Sequence, residues 1–489
     1  MAIDPRTPVI VGVGQVDQRP ENLAAQEPYR LMSDAVSKAL ADSGAPDAAG
    51  AVELIAVVQG AWSYTDPARL VADRLGIAGV RTAITTMGGQ APQAALNTVF
   101  TRIGRGGLDA AVVTGGETIW SRRKLRARGE HLATTRQGDV RPDDILGHEL
   151  TMSTPFEEGR GIDQPPVLYS IFESAIRSAN GESIEQHRSR LGELWAGFNR
   201  VAVGNEHAWI RQPMTAAEII TPTAHNRMVG FPYTKAMNSN WYLDQAAAVF
   251  VTSVGRAERL GVSRDRWVFP WAGAAANDTA TVTNRRDLHS SPAITSIADA
   301  LYRRCGIGPD EIGHVDLYSC FPSAVQIGAA AFGLGLDRPL TVTGGLTFAG
   351  GPLNNYVTHS VAAMVDVLRE RLGAGLVTAN GGYVTKHCAA LYRSDPPPEP
   401  WVSVDTQAVA DRTDPVPGDE AFSGVGRVEG YTVMHRPSTA PEALVAIRTP
   451  TGGRTWGRGD DSALTDELMA AEGVGRAVRL GSEGQIDLI

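Results

Sequence analysis

The chain has 489 residues, 43% of them hydrophobic and 20% charged, with a formal net charge of −9. That composition belongs to a globular chain with room for roughly two to four domains and a large core. Its mild acidity excludes nucleic acid as the main partner, because phosphate binding needs a basic face.

Three cysteines, Cys305, Cys320 and Cys388, form no CxxC pair. Neither a disulfide framework nor a metal site is predicted, and reduced thiols point to the cytoplasm. The N-terminal stretch MAIDPRTPVIVGVGQVD has no basic region followed by a long apolar run, so no signal peptide is expected. No run of about eighteen apolar residues predicts a membrane span. The C-terminal GQIDLI carries no targeting tripeptide or prenylation box.

PVIVGVGQV is predicted as a buried strand, and PYRLMSDAVSKALADSG as an amphipathic helix ending at Gly44. ELIAVVQGAW and RTAITTMGG are strands, 92–103 is a helix, and LDAAVVTGG is a strand closing on a glycine pair. Strand–helix alternation of this kind implies a parallel sheet covered by helices. From about Ser121 to Pro232 the pattern breaks: a basic run, a loop-like stretch, then helices over 168–178 and 184–203. This is an insertion expected to sit on top of the sheet. LDQAAAVFVTSVGRAERLG is a helix or a strand edge leading into the second half.

The second half echoes the first. A helix over 291–305, a strand at HVDLYS, a helix opening at Pro322, a strand at PLTVTGG, a helix over 355–372 and a strand at GLVTANGG are predicted. RIGRGGLDAAVVTGG and RERLGAGLVTANGG match as helix end, glycine turn, strand and glycine pair, suggesting a duplicated five-stranded unit. SDPPPEPW, 394–401, is a proline-rich linker. Beyond it, GRVEGYTVMH, EALVAIRT, a hairpin at Pro450–Gly453 and one helix in LTDELMAAEGVG predict a small antiparallel β-barrel.

Four segments carry a resemblance. GGQAPQAALNTVFTRIGRGGLDAAVVTGGET resembles the thiolase nucleophile loop with its helix and strand. DLYSCFPSAV resembles the Asn-Glu-Ala-Phe or His-Asp-Cys-Phe loop, GGLTFAGGPLNN the Gly-His-Pro loop, and GLVTANGG the Cys-x-Gly-Gly loop. The chain thus resembles the thiolase superfamily, in its sterol-carrier-type branch. Its tail is similar to that of the thiolase-like proteins of type 1, often labelled acetyl-CoA acetyltransferase by similarity. The resemblance implies an α/β thiolase fold: two duplicated βαβαβαββ halves in five layers, with an inserted loop domain and the C-terminal barrel. The expected ranges are 1–120 with 233–265 for the first half and 121–232 for the insertion. The second half is 266–396 and the barrel 397–489.

Thiolase chemistry, as the resemblance implies it, uses a nucleophilic cysteine activated by a histidine, a second cysteine that moves the α-proton, and an oxyanion hole. Twenty residues before Asp109, the nucleophile position falls on Gly89. The Asn or His of the second loop falls on Tyr318, the histidine of Gly-His-Pro on Gly351, and the second cysteine on Asn380. Glycine offers no nucleophile or base, and a neutral amide moves no proton. Losing several members of a concerted site leaves little catalysis, so standard thiolysis and Claisen condensation are predicted absent.

Replacement groups are sought nearby. Tyr318 is a candidate acid or hydrogen-bond donor, while Cys320 fits a small buried residue. His359 and His387 are candidate bases near the altered loops, with Lys386 beside His387. Asn354, Asn355 and Asn380 suit either a thioester carbonyl or helix caps and turns. Arg122 and Arg123 open the insertion that covers coenzyme A in thiolases, and Lys235 and Asn355 complete the candidate cofactor contacts. No tightly bound cofactor is expected; coenzyme A or an acyl-CoA is the expected ligand.

Three functions follow: an acyltransferase with a rebuilt site, a non-catalytic acyl-CoA or lipid-binding protein, or a scaffold docking through the barrel. The first requires Tyr318, His359 and His387 to converge. The resemblance implies a homodimer through the sheet edge near the nucleophile loop, with a monomer as the alternative.

Overall fold

The structure, a computed structural model, describes residues 3–19 and 25–489; residues 1–2 of the N-terminal stretch and residues 20–24 lie outside the described residues. The first sheet runs in the order Pro8–Asp17, Asp244–Ser253, Ala110–Thr118, Leu54–Val57, Arg81–Thr85, Asp144–Leu146. Its last four strands pair in parallel and Asp244–Ser253 is antiparallel to both neighbours.

Alternation along Pro8–Asp17 feeds two cores. Val9 and Val11 pack with Leu31, Val36 and Val71, while Ile10 and Val13 enter the central core with Val99, Phe100 and Val361. Both faces are therefore covered, as a sheet of continuous apolar strands requires. The segment read as helix or strand edge is the strand Asp244–Ser253 followed by the helix Val254–Leu260.

The second sheet has the order Ile312–Asp316, Ala374–Gly381, Lys386–Arg393, Phe269–Asn277, Ser403–Asp405. Four of its strands repeat the order of the first sheet, Ser403–Asp405 being added beside Phe269–Asn277 at the other edge. PLTVTGG, expected as a strand, forms none. The side chain of Asp316 takes its backbone instead, accepting from Val342 N at 3.0 Å, Thr343 N at 3.1 Å and Thr341 Oγ1 at 2.9 Å. Those donors are lost to any ladder. Helices Ala91–Gly104, after the strand Arg81–Thr85, and Tyr356–Glu370, after the segment PLTVTGG, lie in the shared core.

In the insertion, helices Pro165–Ala179 and Ile184–Gly204 carry a buried polar network. The ring of His187, with 0% exposure, has Glu182 at 2.5 Å from Nδ1 and Glu173 at 2.6 Å from Nε2. Glu173 also accepts from Gln326 Nε2 at 2.6 Å and from the Tyr233 hydroxyl, which in turn meets Ser323 Oγ at 2.9 Å. The network ties both helices to the strand Tyr233–Thr234 and the helix Pro322–Ala331 of the second half.

The proline-rich linker is anchored: Trp401 packs edge-on to Phe100 at 4.9 Å, and Ser403–Asp405 joins the second sheet. The C-terminal strands Gly424–Met434, Glu442–Arg448, Arg454–Gly459, Ala477–Leu480 and Ile486–Leu488 form an antiparallel sheet, extended by Met228–Gly230 from the insertion. The sheet does not close as the barrel that was expected. Its two outer strands approach only through one bridge, Arg458 to Gln485. Among the described residues no helix is long and apolar enough to cross a membrane.

Candidate functional site

Gly88 and Gly89 form the junction between the strand Arg81–Thr85 and the helix Ala91–Gly104. Gly88 has φ +143°, where a side chain is disfavoured. At Gly89 the obstacle is space. A Cβ there would lie 2.1 Å from the Tyr318 hydroxyl oxygen and 2.4 Å from the Asn380 carbonyl oxygen. The phenol of Tyr318 therefore stands where a side chain at 89 would begin.

Tyr318 is held there by its backbone N–H, which donates to Thr378 Oγ1 at 2.9 Å, and by an edge-on contact with Tyr356 at 5.7 Å. Burial, with Cys320 adding to it, raises its hydroxyl pKa far above the ordinary phenol value. Asn380 ends the strand Ala374–Gly381 and donates to Tyr169 Oη at 2.9 Å. The Cys320 thiol lies 3.9 Å from Asn380 Nδ2, and burial pushes it up to about 12.

The void left among Tyr318, Asn380, His387 and Cys388 measures about 20 Å³. That is space for one water, not for an acyl group. Gly351 donates its N–H to Asn240 O, and a Cβ on it would lie 3.1 Å from Leu346 Cδ2.

The other candidates are dispersed. His359 does not join Tyr318 and His387. Its Nδ1 is 2.8 Å from Gln15 Oε1, and burial, reinforced by His207, lowers its pKa to about 3. Asn355 is a structural residue: Nδ2 donates to Gly115 O at 2.7 Å and Oδ1 accepts from Thr358 at 2.6 Å. Asn354 donates to Gln59 O at 2.7 Å. Arg122 donates to Ala61 O at 2.7 Å, Arg123 lies 3.6 Å over the Tyr242 ring, and Lys235 sits in a single 3-10 turn. The candidate cofactor contacts thus share no cavity. Cys388 accepts from Asn97 Nδ2 at 3.1 Å, and its buried thiol is also pushed up to about 12. Among the described residues no imidazole hydrogen-bonds Cys320 or Cys388.

On the other side of His387 lies an open cavity of about 850 Å³. One wall is the face Ala91, Ala94, Ala95 and Thr98 of the central helix. Lys386, His387, Gln90, Asp278, Arg285 and Leu146 line the cavity too. Burial opposes ionisation of Asp278. The charge of Arg285 and the contacts of His387 and Ser291 outweigh it and hold the carboxyl below its ordinary range. Sequence reading had marked Lys386 and His387 but missed Gln90 and Asp278. The usable signal was the small-residue stripe 91, 94, 95 and 98, at helical spacing on one face.

No family model matches the chain. A solved structure described as a monomeric SCP2-thiolase like protein type 1, from Mycobacterium smegmatis, shares 30% identity over the whole of both chains, with a TM-score of 0.85. The chain belongs to the SCP2-thiolase-like branch of the thiolase superfamily.

More distant solved structures share the fold of this thiolase-like protein. An Ltp2–ChsH2(DUF35) aldolase is 17% identical, covering 80% of this chain and 98% of its own, with a TM-score of 0.61. The dimeric peroxisomal thiolase of Saccharomyces cerevisiae is 14% identical, covering 81% and 99%, with a TM-score of 0.58. A curated relative, benzoylsuccinyl-CoA thiolase subunit BbsB of Thauera aromatica, is 27% identical over 189 residues, 35% of this chain. The thiolase-like chain spans 47% of that relative's length, about half. Within this fold, Gly89, Tyr318 and Asn380 form one contact group.

Proposed function

We propose that the protein binds an acyl-CoA or a related thioester and performs neither thiolysis nor Claisen condensation. One observation carries this reading: the Tyr318 hydroxyl lies 2.1 Å from the Cβ position of residue 89 and leaves a void of only about 20 Å³ beside it. A nucleophile cannot be seated there, and a thiol with a pKa raised to about 12, as at Cys320, is almost entirely protonated near neutrality. The amide of Asn380 moves no proton. Descent within a family of acyl-transferring proteins supports a thioester ligand and a role in acyl-CoA metabolism, set in the cytoplasm and within lipid metabolism. The working division is into halves 1–120 with 233–265 and 266–396, an insertion 121–232 and a tail 397–489.

Acyl transfer through a rebuilt site is the second reading, favoured by the His387 ring, whose Nε2 is 3.2 Å from the Asp278 carboxylate at the cavity. Docking through the C-terminal sheet has less support. The large hydrophobic residues exposed there are Val425 and Ile489, too few and scattered for an apolar patch.

Calorimetry and thermal shifts with coenzyme A, acetyl-CoA and hexanoyl-CoA test the proposal, beside assays of acetoacetyl-CoA thiolysis and acetyl-CoA condensation. Binding without turnover is the expected result. Turnover in either assay overturns the loss of thiolase chemistry, and silence from all three ligands overturns the thioester reading.

A further inference from the structure

Lys386 is 3% exposed, yet no carboxylate lies within 4 Å of its amine among the described residues. Its protein partner is a single carbonyl, Met87 O at 2.5 Å, which leaves two of three ammonium donors open. An unpaired buried cation is costly, and such cations persist where something else meets them. Two more polar atoms on residues lining the cavity are left over. Gln90 Oε1 is buried without a partner, and it crowds the same Gly88 Cβ position as Lys386 Nζ, at 2.1 and 2.9 Å. His387, 4% exposed, has its Nε2 near Asp278 but not aligned into a hydrogen bond.

The rest of the wall is mixed. Ala91, Ala94, Ala95, Ala275 and Ala276 add apolar surface, while Arg285, Arg286, Asp287, Asp405 and Asp411 line the cavity as well. At about 850 Å³ the space falls in the usual range of small-molecule sites, about 300–1,000 Å³. Its lining shares only His387 and Cys388 with the void under Tyr318.

We infer that this cavity is the acyl-binding site of the protein, taking an acyl group with its carboxyl or thioester oxygen at Lys386 and His387 and its chain along the alanine face. The inference rests on the acyl-thioester reading and moves the ligand out of the closed thiolase centre. A free carboxylate and a thioester share the oxygen that Lys386 recognises. The carboxylate also neutralises the ammonium.

The test is calorimetry of the full chain with sodium hexanoate, hexanoyl-CoA and coenzyme A, on wild type and on Lys386→Met, Ala94→Phe and Thr98→Phe. Ala94 and Thr98 are only partly buried and border the cavity, so either aromatic ring projects into it across the apolar surface. Hexanoate binding marks a carboxylate site, and hexanoyl-CoA binding alone marks a thioester site. Lys386→Met is expected to weaken the bound ligand at least about tenfold, and both fillers to abolish binding while leaving the melting temperature and circular dichroism near wild type.

A measurement on unaltered protein backs this up. The chain has four lysines, Lys38, Lys124, Lys235 and Lys386. Acetylation read by mass spectrometry should show Lys386 alone protected by ligand. Ligand binding that survives both fillers, with Lys386 unprotected, sinks the cavity assignment and leaves the thioester reading standing. If wild type binds none of the three, that reading falls and the assignment with it.

Discussion

Two buried polar groups in this molecule are built on opposite terms. Around His187 every strong donor and acceptor of the core pair has a partner: a carboxylate at each ring nitrogen, and an amide and a phenol on Glu173. Around Lys386 the same kinds of atom sit beside an open cavity with partners missing. A closed network fixes helices in place, whereas an open one keeps interaction free energy available for a ligand. Burial of polar groups alone therefore does not mark function, nor does a lone orphaned atom such as Gln326 Oε1; unfilled valences at the wall of an open cavity do.

The strongest way to break that contrast is Glu173→Ala. It strips one carboxylate from the His187 network and should cost about 3–5 kcal/mol, as removal of one partner from a buried pair does. Urea unfolding measures it, and a loss under 1 kcal/mol would mean the network holds nothing together. Next comes His359. Its folded pKa, about 3, lies below the ordinary value of about 6.5. Between those values the unfolded chain binds the proton and the folded chain does not. Stability is thus full above about pH 6.5 and declines as the pH falls toward 3. His359→Gln should flatten this decline by about 2–4 kcal/mol across the window; melts that keep the wild-type slope would show another group responsible.

Gly89→Cys sharpens the comparison from the other side. The new Cβ meets the Tyr318 hydroxyl oxygen at 2.1 Å, so it should destabilise by about 1–3 kcal/mol. Tyr318→Asn in the same chain should recover part of the loss, and a double-mutant cycle with no coupling would refute the overlap. The smallest effect belongs to Lys386→Met, which should leave stability within about 1 kcal/mol of wild type or raise it, because it removes an unpaired buried charge. A large loss here would place Lys386 with the structural groups.

Four strands of the first sheet and the helices Pro165–Ala179 and Ile184–Gly204 were legible because their apolar residues recur at the spacing of the element, whereas Asp144–Leu146 was not read and Asp244–Ser253 was left between helix and strand. The strand expected at PLTVTGG was not, since its β-branched pattern is right and only a distant carboxylate, Asp316, withdraws the backbone. Phe269–Asn277 was missed because its alanines give no alternation. At the site, motif order placed Gly89, Tyr318 and Asn380, which meet. It also suggested His359, which helix rotation turns toward Gln15. The unpaired state of Lys386 was beyond sequence reading, because it depends on which carboxylates are absent from its surroundings.

The short strand Asp144–Leu146 bears on stoichiometry. Its backbone fills the outer ladder of Arg81–Thr85, so a second copy can add a strand there only by peeling it away. Leu146 is also part of the wall of the large cavity. Self-pairing by that route would dismantle the pocket, and an occupied pocket would in turn oppose self-pairing. A ligand held in the cavity and a second copy paired at this edge would compete for one three-residue segment, linked by mass action.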